Sequence, residues 1–193
     1  MLGGSGDDHC HAVKVDATGN ICIMGFTSGS IPVSSGSYDQ SYNGGIWDTY
    51  CAKMNASLSQ NIFCTYIGSS GDDWAWNSIE LDNSGNIYVA GYTNGNNFPT
   101  TIGCVQNNYG GGLYDAFIYK LSSNGVSLLN STYFGSTGDD EGWGIVCDNN
   151  EPIVTGTFQN GLIPQPCSFY PNNSGLKDAF YLKLDSTFSS VIN

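Results

Sequence analysis

Apolar and polar positions along this chain alternate in short runs with a period of two. Ile79-Glu80-Leu81 leads through Asp82-Asn83-Ser84-Gly85 into Asn86-Ile87-Tyr88-Val89-Ala90, the pattern of strand, tight turn and strand. Ala116 to Leu121, the turn Ser122-Ser123-Asn124-Gly125, and Val126 to Phe134 predict a second hairpin directly after the first. Four strands therefore fill this stretch.

The same four-strand block recurs along the chain. Gly6-Asp7-Asp8 returns as Gly71-Asp72-Asp73 and as Gly138-Asp139-Asp140, at spacings of 65 and 67 residues. Asp16, Asp82 and Asp148 keep the same register, as do Gly25, Gly91 and Gly156, and Pro32, Pro99 and Pro164. Asp48, Asp115 and Asp178 form a further column, each followed by an aromatic two residues on and a Lys five on. Repeats of this length with four strands each are blades rather than solenoid coils. The expected fold is an all-β β-propeller segment of three four-stranded antiparallel blades, residues 1–66, 67–133 and 134–193. The last strand of the third blade is cut short, and three blades do not close a ring.

Composition agrees with a folded all-β domain. Aromatic residues make up 13% of the chain and charged residues only 11%, so polarity comes from hydroxyls and amides. Five Lys and Arg against seventeen Asp and Glu give a net charge of -12, which repels nucleic acid and anionic membranes. No apolar run is long enough to span a bilayer. Met1-Leu2-Gly3-Gly4 has neither part of a signal peptide, so for an exported protein the signal is expected upstream of this sequence or already removed. The seven cysteines contain no C-x-x-C pair. Cys51 and Cys64 flank one turn and are expected to face each other as a cross-strand disulfide, while Cys104 and Cys167 hold matching loop positions. Cys147 occupies the place of Val15 and Leu81 and reads as a small buried hydrophobe.

Particular strings resemble a known family. Gly-Ser-Gly-Asp-Asp (4–8), Asp-Asn-Ser-Gly-Asn-Ile-Tyr-Val-Ala-Gly-Tyr-Thr (82–93), Asn-Phe-Pro-Thr-Thr (97–101), Asp-Ala-Phe (115–117) and Ser-Thr-Tyr (131–133) are similar to the bacterial β-propeller repeat SBBP. The resemblance covers the whole chain and is strongest in the second repeat. It implies a propeller in large exported or cell-surface proteins and carries no catalytic motif to transfer. The third repeat departs from it at Asn149-Asn150-Glu151-Pro152, where the turn glycine is missing, and the first at His9, Cys10 and Cys22.

In propeller topology, the connections from strand two to three and from blade to blade share one face of the disc. They include the long segments 28–47, 94–114 and 159–177, and loops of that length commonly carry function. Nine carboxylates are expected on this face: Asp7, Asp8, Asp48, Asp72, Asp73, Asp115, Asp139, Asp140 and Asp178. One reading is a calcium site per blade, since hard cations take several oxygens. The competing reading is that short Asp side chains accept backbone N–H bonds and fix the turns. Three equivalent copies argue against a single tuned acid pair for glycoside hydrolysis.

His9-Cys10-His11 places two imidazoles on one strand face as a candidate metal pair. In the other repeats these places hold Trp74 and Trp76, and Glu141 and Trp143, so blade packing explains them equally well. Tyr38, Tyr42, Trp47, Phe98, Tyr109 and Tyr114 suit sugar stacking, protein contact or loop packing. Asn55, Asn130 and Asn172 open sequons.

The function expected is a non-catalytic extracellular or cell-surface module with a structural, adhesive or filament-forming role. Its partners are copies of itself or further blades joined head to tail, through the fourth strand interrupted at both chain ends. The alternatives are a glycan-binding lectin and an accessory propeller of a larger secreted enzyme.

Overall fold

The computed structural model describes residues 2–159 and 176–192. Most of the third long loop, with Pro164, Cys167 and the sequon at Asn172, lies outside the described residues. So do Met1 and Asn193.

The fold is all-β, with three antiparallel sheets and no helix among the described residues. The first sheet has the order β1 (Asp8–Val15), β2 (Ile21–Thr27), β3 (Asp48–Met54) and β4 (Asn61–Ile67). The third repeats it with β10 (Glu141–Asp148), β11 (Glu151–Phe158), β12 (Asp178–Leu184) and the short β13 (Val191–Ile192). In the second sheet the first strand is divided into β5 (Asp73–Trp74) and β6 (Ile79–Leu81), both paired with β7 (Ile87–Thr93). β8 (Asp115–Leu121) and β9 (Leu128–Phe134) complete it. The expected four strands are thus present, with one of them broken. The break falls at Ala75 to Ser78, where Asn77 has φ +46° and the Ser78 hydroxyl accepts the Ala90 N–H at 3.2 Å.

The alternation builds a layered core. Val89, Phe117 and Tyr119 of the middle sheet pack against Met24 and Cys51 of the first. On its other face, Tyr88, Ala90 and Ile118 pack against Val154, Phe180 and Leu182 of the third. Every residue of β8 except Lys120 is buried, because neighbours cover both its faces. β12 buries Phe180, Leu182 and Leu184 and exposes Ala179 and Tyr181. A third cluster, Tyr50, Ala52, Cys64 and Tyr66 with Ile31, lies on the outer side of the first sheet. First strands of adjacent sheets approach one another, β6 lying beside both β1 and β10, so they form the inner edge.

Register overturns the expected disulfide. Cys51 pairs with Thr65 and Ala52 with Cys64, a one-residue offset that sends Cys51 and Cys64 to opposite faces. Cys51 packs toward the middle sheet with its Sγ 3.1 Å from the Tyr119 hydroxyl, while Cys64 belongs to the outer cluster. Both are free thiols, pushed up to about 12 by burial. Cys104 is free as well.

The tight turns repeat one construction. Asp16 Oδ1 accepts the N–H groups of Thr18 and Asn20, and Asp82 Oδ1 those of Ser84 and Asn86. The third turn replaces glycine by Asn149 and Asn150, at φ +51° and +67°, a conformation asparagine tolerates. In each sheet the Lys of the third strand then reaches the turn Asp: Lys53 to Asp16 at 2.8 Å, Lys120 to Asp82 at 3.1 Å, Lys183 to Asp148 at 3.2 Å.

Candidate functional site: the loop face and its aromatic belt

The nine carboxylates fall into three structural kinds. Asp8, Asp73 and Asp140 open the inner edges and hold the loops four residues back. Their carboxylates accept N–H bonds from Gly4 at 2.7 Å, Ser69 at 2.7 Å and Ser136 at 2.5 Å. Asp72 and Asp139 reach back to the preceding sheet, accepting the N–H of Ile46 and, at 2.6 Å, of Leu113. Asp7 is exposed, and its backbone N–H donates to the Ser28 hydroxyl. These are turn and junction bonds.

Asp48 and Asp115 are the third kind; Asp178 opens β12 at the equivalent place and is half-buried. Both are fully buried, and in each one Oδ2 accepts a loop N–H while Oδ1 has no hydrogen-bond partner. Asp48 lies across the sheet junction from Asp73. A Cβ built on Gly68 would sit 2.9 Å from Asp48 Oδ1 and 2.9 Å from Asp73 Oδ2, so the two carboxylates converge where a side chain is missing. Burial pushes Asp48, Asp73 and Asp115 up to about 7 and Asp140 to about 6; Asp73 adds to the effect on Asp48, and Asp140 to that on Asp115. None of the ion pairs among the described residues reaches these four acids. The carboxylates meet in twos, and no three His, Cys, Asp or Glu converge as a metal set among the described residues.

His9 and His11 do share one face, with stacked rings 5.7 Å apart, but they are embedded among other rings. Both stack on Phe26; Trp47 meets His9 edge-on at 5.2 Å, and Trp76 meets His11 at 4.4 Å. Burial, then the neighbouring His9, holds His11 below the usual histidine range, and its Nε2 is buried without a partner. The cluster continues into the next sheet. Trp76 Nε1 donates to the Tyr92 hydroxyl at 3.0 Å, Tyr92 packs against Trp74 and Tyr114, and Trp143 of the third sheet lies 5.8 Å from Tyr92. A belt of aromatic rings therefore runs across the loop-face ends of all three inner edges.

The inner strands build this belt by a shared irregularity. A β-bulge lies between Cys10 and Ala12, another between Gly142 and Gly144, and the break of the second sheet falls at the corresponding place. The extra residues are His11, Trp76 and Trp143. A bulge turns its residue out of the alternation and re-aims it, so residues two apart in sequence crowd the same mouth. Of the loop aromatics suited to stacking, protein contact or loop packing, Trp47 and Tyr114 join the belt. Tyr38, Tyr42, Phe98 and Tyr109 instead pack onto the hydrophobic clusters. The sequence offers His9 and His11 as a candidate metal pair or as packing positions; the rings around them favour packing, and the signal for a belt is the aromatic at the place of His11 in the other two repeats, Trp76 and Trp143.

The opposite face is not featureless. A groove of about 510 Å³ opens between the tight turns of the first two sheets, lined by Lys14, Asp16, Lys53, Glu80 and Asp82 among others. Its charges are mutually paired, Lys14 with Glu80 at 3.0 Å and Lys53 with Asp16.

No curated protein matches the chain. A family model does: residues 62–99, running from β4 through the divided inner strand and β7 into the next loop, match the β-propeller repeat SBBP. Three sheets on one plan surround that segment, which is similar to one such repeat.

Proposed function

We propose that this chain is a non-catalytic, extracellular propeller module with an adhesive role, and that the aromatic belt is its contact surface. The observation that carries the reading is the bulged inner edge, which brings His9, His11, Trp74, Trp76, Tyr92 and Trp143 to one mouth. Large, stiff rings supply contact area at low entropic cost, and they are the side chains that dominate recognition surfaces. The acids of the same face are engaged in turns and junctions, which suits a scaffold more than an acid/base catalyst.

A lectin is the second reading, favoured by Trp143. The residue is 42% exposed, while its N–H is directed at the Thr157 hydroxyl, which suits contact with a flat sugar face. The test is adhesion of the purified chain to intact cells, alongside a glycan array, with Trp76→Ala and Trp143→Ala combined. Loss of adhesion at an unchanged melting temperature supports the belt, and discrete array signals select the lectin reading. Adhesion that survives the double substitution removes the belt as the contact surface.

A further inference from the structure

The groove between the first two tight turns is open for a reason visible in the strands beneath it. Cys22 and Tyr88 are equivalent, paired across their hairpins with Lys14 and Glu80. Tyr88 donates its hydroxyl to the Asn150 carbonyl at 3.3 Å, so its ring ties the second sheet to the third turn. A cysteine is too short to make that reach toward the second turn. The resulting groove of about 510 Å³ has no aromatic residue in its lining, and its volume is that of a small-molecule site. At the second junction Val146 takes the place that Glu80 takes at the first, so no ion pair bridges the inner strands there.

The walls of the groove are held in place by the protein itself. Lys14 reaches across the sheets to Glu80 at 3.0 Å, while buried Lys53 donates to Asp16 at 2.8 Å and to the Ser123 carbonyl at 3.3 Å. Asp82 is paired with Lys120 at 3.1 Å. Three ammonium groups thus cancel three carboxylates. A charged ligand would have to break one of these pairs, and the net charge of -12 repels anions in addition. Hydrogen-bonding capacity is nevertheless left over. Lys14 Nζ uses one of its three donors, and the exposed Asn83 and Ser84 side chains at the rim make no hydrogen bond among the described residues. Val15, 63% exposed, and half-buried Leu81 add an apolar strip.

We propose that this groove binds a neutral saccharide unit, on the face opposite the aromatic belt. A sugar hydroxyl both donates and accepts, so it inserts beside a Lys and Glu pair without separating the charges. Hydrogen bonds to charged groups are stronger than those between neutral groups, which gives the ligand an advantage over water at the same places. The ring carbons lie against Val15 and Leu81. The site belongs to the first junction, because Tyr88 crosses the gap at the second.

Amide chemical-shift titration of the isotope-labelled full chain tests this, with glucose, galactose, mannose, fucose and N-acetylglucosamine at millimolar concentration and with glucuronate and glucosamine as charged controls. At least one neutral sugar should shift the amides of residues 14–20 and 80–85 saturably, and the charged sugars should bind about tenfold more weakly or less. Lys14→Met, which removes one charged donor at the surface, should weaken binding about tenfold. Ser84→Trp, at an exposed turn position, should fill the groove and abolish binding at an unchanged melting temperature. A panel in which no neutral sugar moves these amides overturns the proposal. So does equal binding of the charged sugars, or binding that survives both substitutions. Shifts confined to Trp74, Trp76 and Trp143 also overturn it and assign the sugar to the belt. Trp76→Ala with Trp143→Ala should leave groove binding unchanged, so the belt and groove readings fail independently.

Discussion

At the scale of single residues, the buried acids make the sharpest statement. Asp48, Asp73, Asp115 and Asp140 have folded values of about 6 to 7 against an ordinary 3.8, so the folded state holds protons that the unfolded chain releases. Their contribution to stability is full below pH of about 4 and is lost as pH rises through about 6 to 7. Asp16 and Asp82 act in the other direction. Burial tends to raise both, but hydrogen bonds from Lys53, Thr18 and Asn20 to Asp16, and from Asn86 and Lys120 to Asp82, outweigh it and hold them low. Stability from these two is present above pH of about 4 and lost below it. Thermal melts from pH 3 to 9 should therefore show a maximum on the acid side of neutrality, at about pH 4 to 5. Asp48→Asn should flatten the decline toward pH 8. A curve that rises from pH 5 to 8 would refute the paired-acid picture. Repeating the melts with a chelator addresses calcium, since a bound cation would raise the melting temperature chiefly at high pH, where the carboxylates are ionised. Gly125 gives a second residue-scale prediction. At φ +73°, with the Phe63 ring where its Cβ would lie, Gly125→Ala should cost roughly 1–3 kcal/mol in denaturant unfolding.

At the scale of elements, what could be read from the sequence and what could not divide along physical lines. Alternation and the Asp-x-x-Gly turns located the hairpins, because a period of two and a left-handed glycine are local properties. Register across a pair is not local, which is why Cys51 and Cys64 looked like partners and lie on opposite faces. The same holds for the Lys of each third strand, visible as a column but not as the partner of the turn Asp two strands away. Bulges were equally invisible: His11, Trp76 and Trp143 keep their spacing from the Gly-Asp-Asp signal whether or not the strand bends around them. Two free thiols at these positions have a direct check. Peptide mapping after alkylation in denaturant, without reductant, should find Cys51 and Cys64 both labelled, and native labelling should be slow because burial keeps the thiolate scarce. A peptide linking the two would show that the β3–β4 register is wrong by one residue.

At the scale of the molecule, the three sheets differ in how many neighbours they have, and stability should follow. The middle sheet is covered on both faces, the third buries only one face of β12, and repeat proteins divide their stability between intrinsic and neighbour contributions. Amides of β7 and β8 should therefore exchange slowest and those of β11 and β12 measurably faster. Phe188 is the side chain through which the third sheet's outer turn enters the shared core, beside Tyr88 and Val105. Phe188→Ala removes a fully buried ring at a cost of about 3–5 kcal/mol, and its left-handed φ makes alanine no better suited to the site. That loss falls on one junction only. Calorimetry should show an early transition for the third sheet separating from a main transition that stays near its original temperature, and hydrogen exchange should assign the early step to β10 through β13. If the variant instead melts in one transition lowered as a whole, the three sheets form a single cooperative unit and the junctions are stronger than their neighbour count implies.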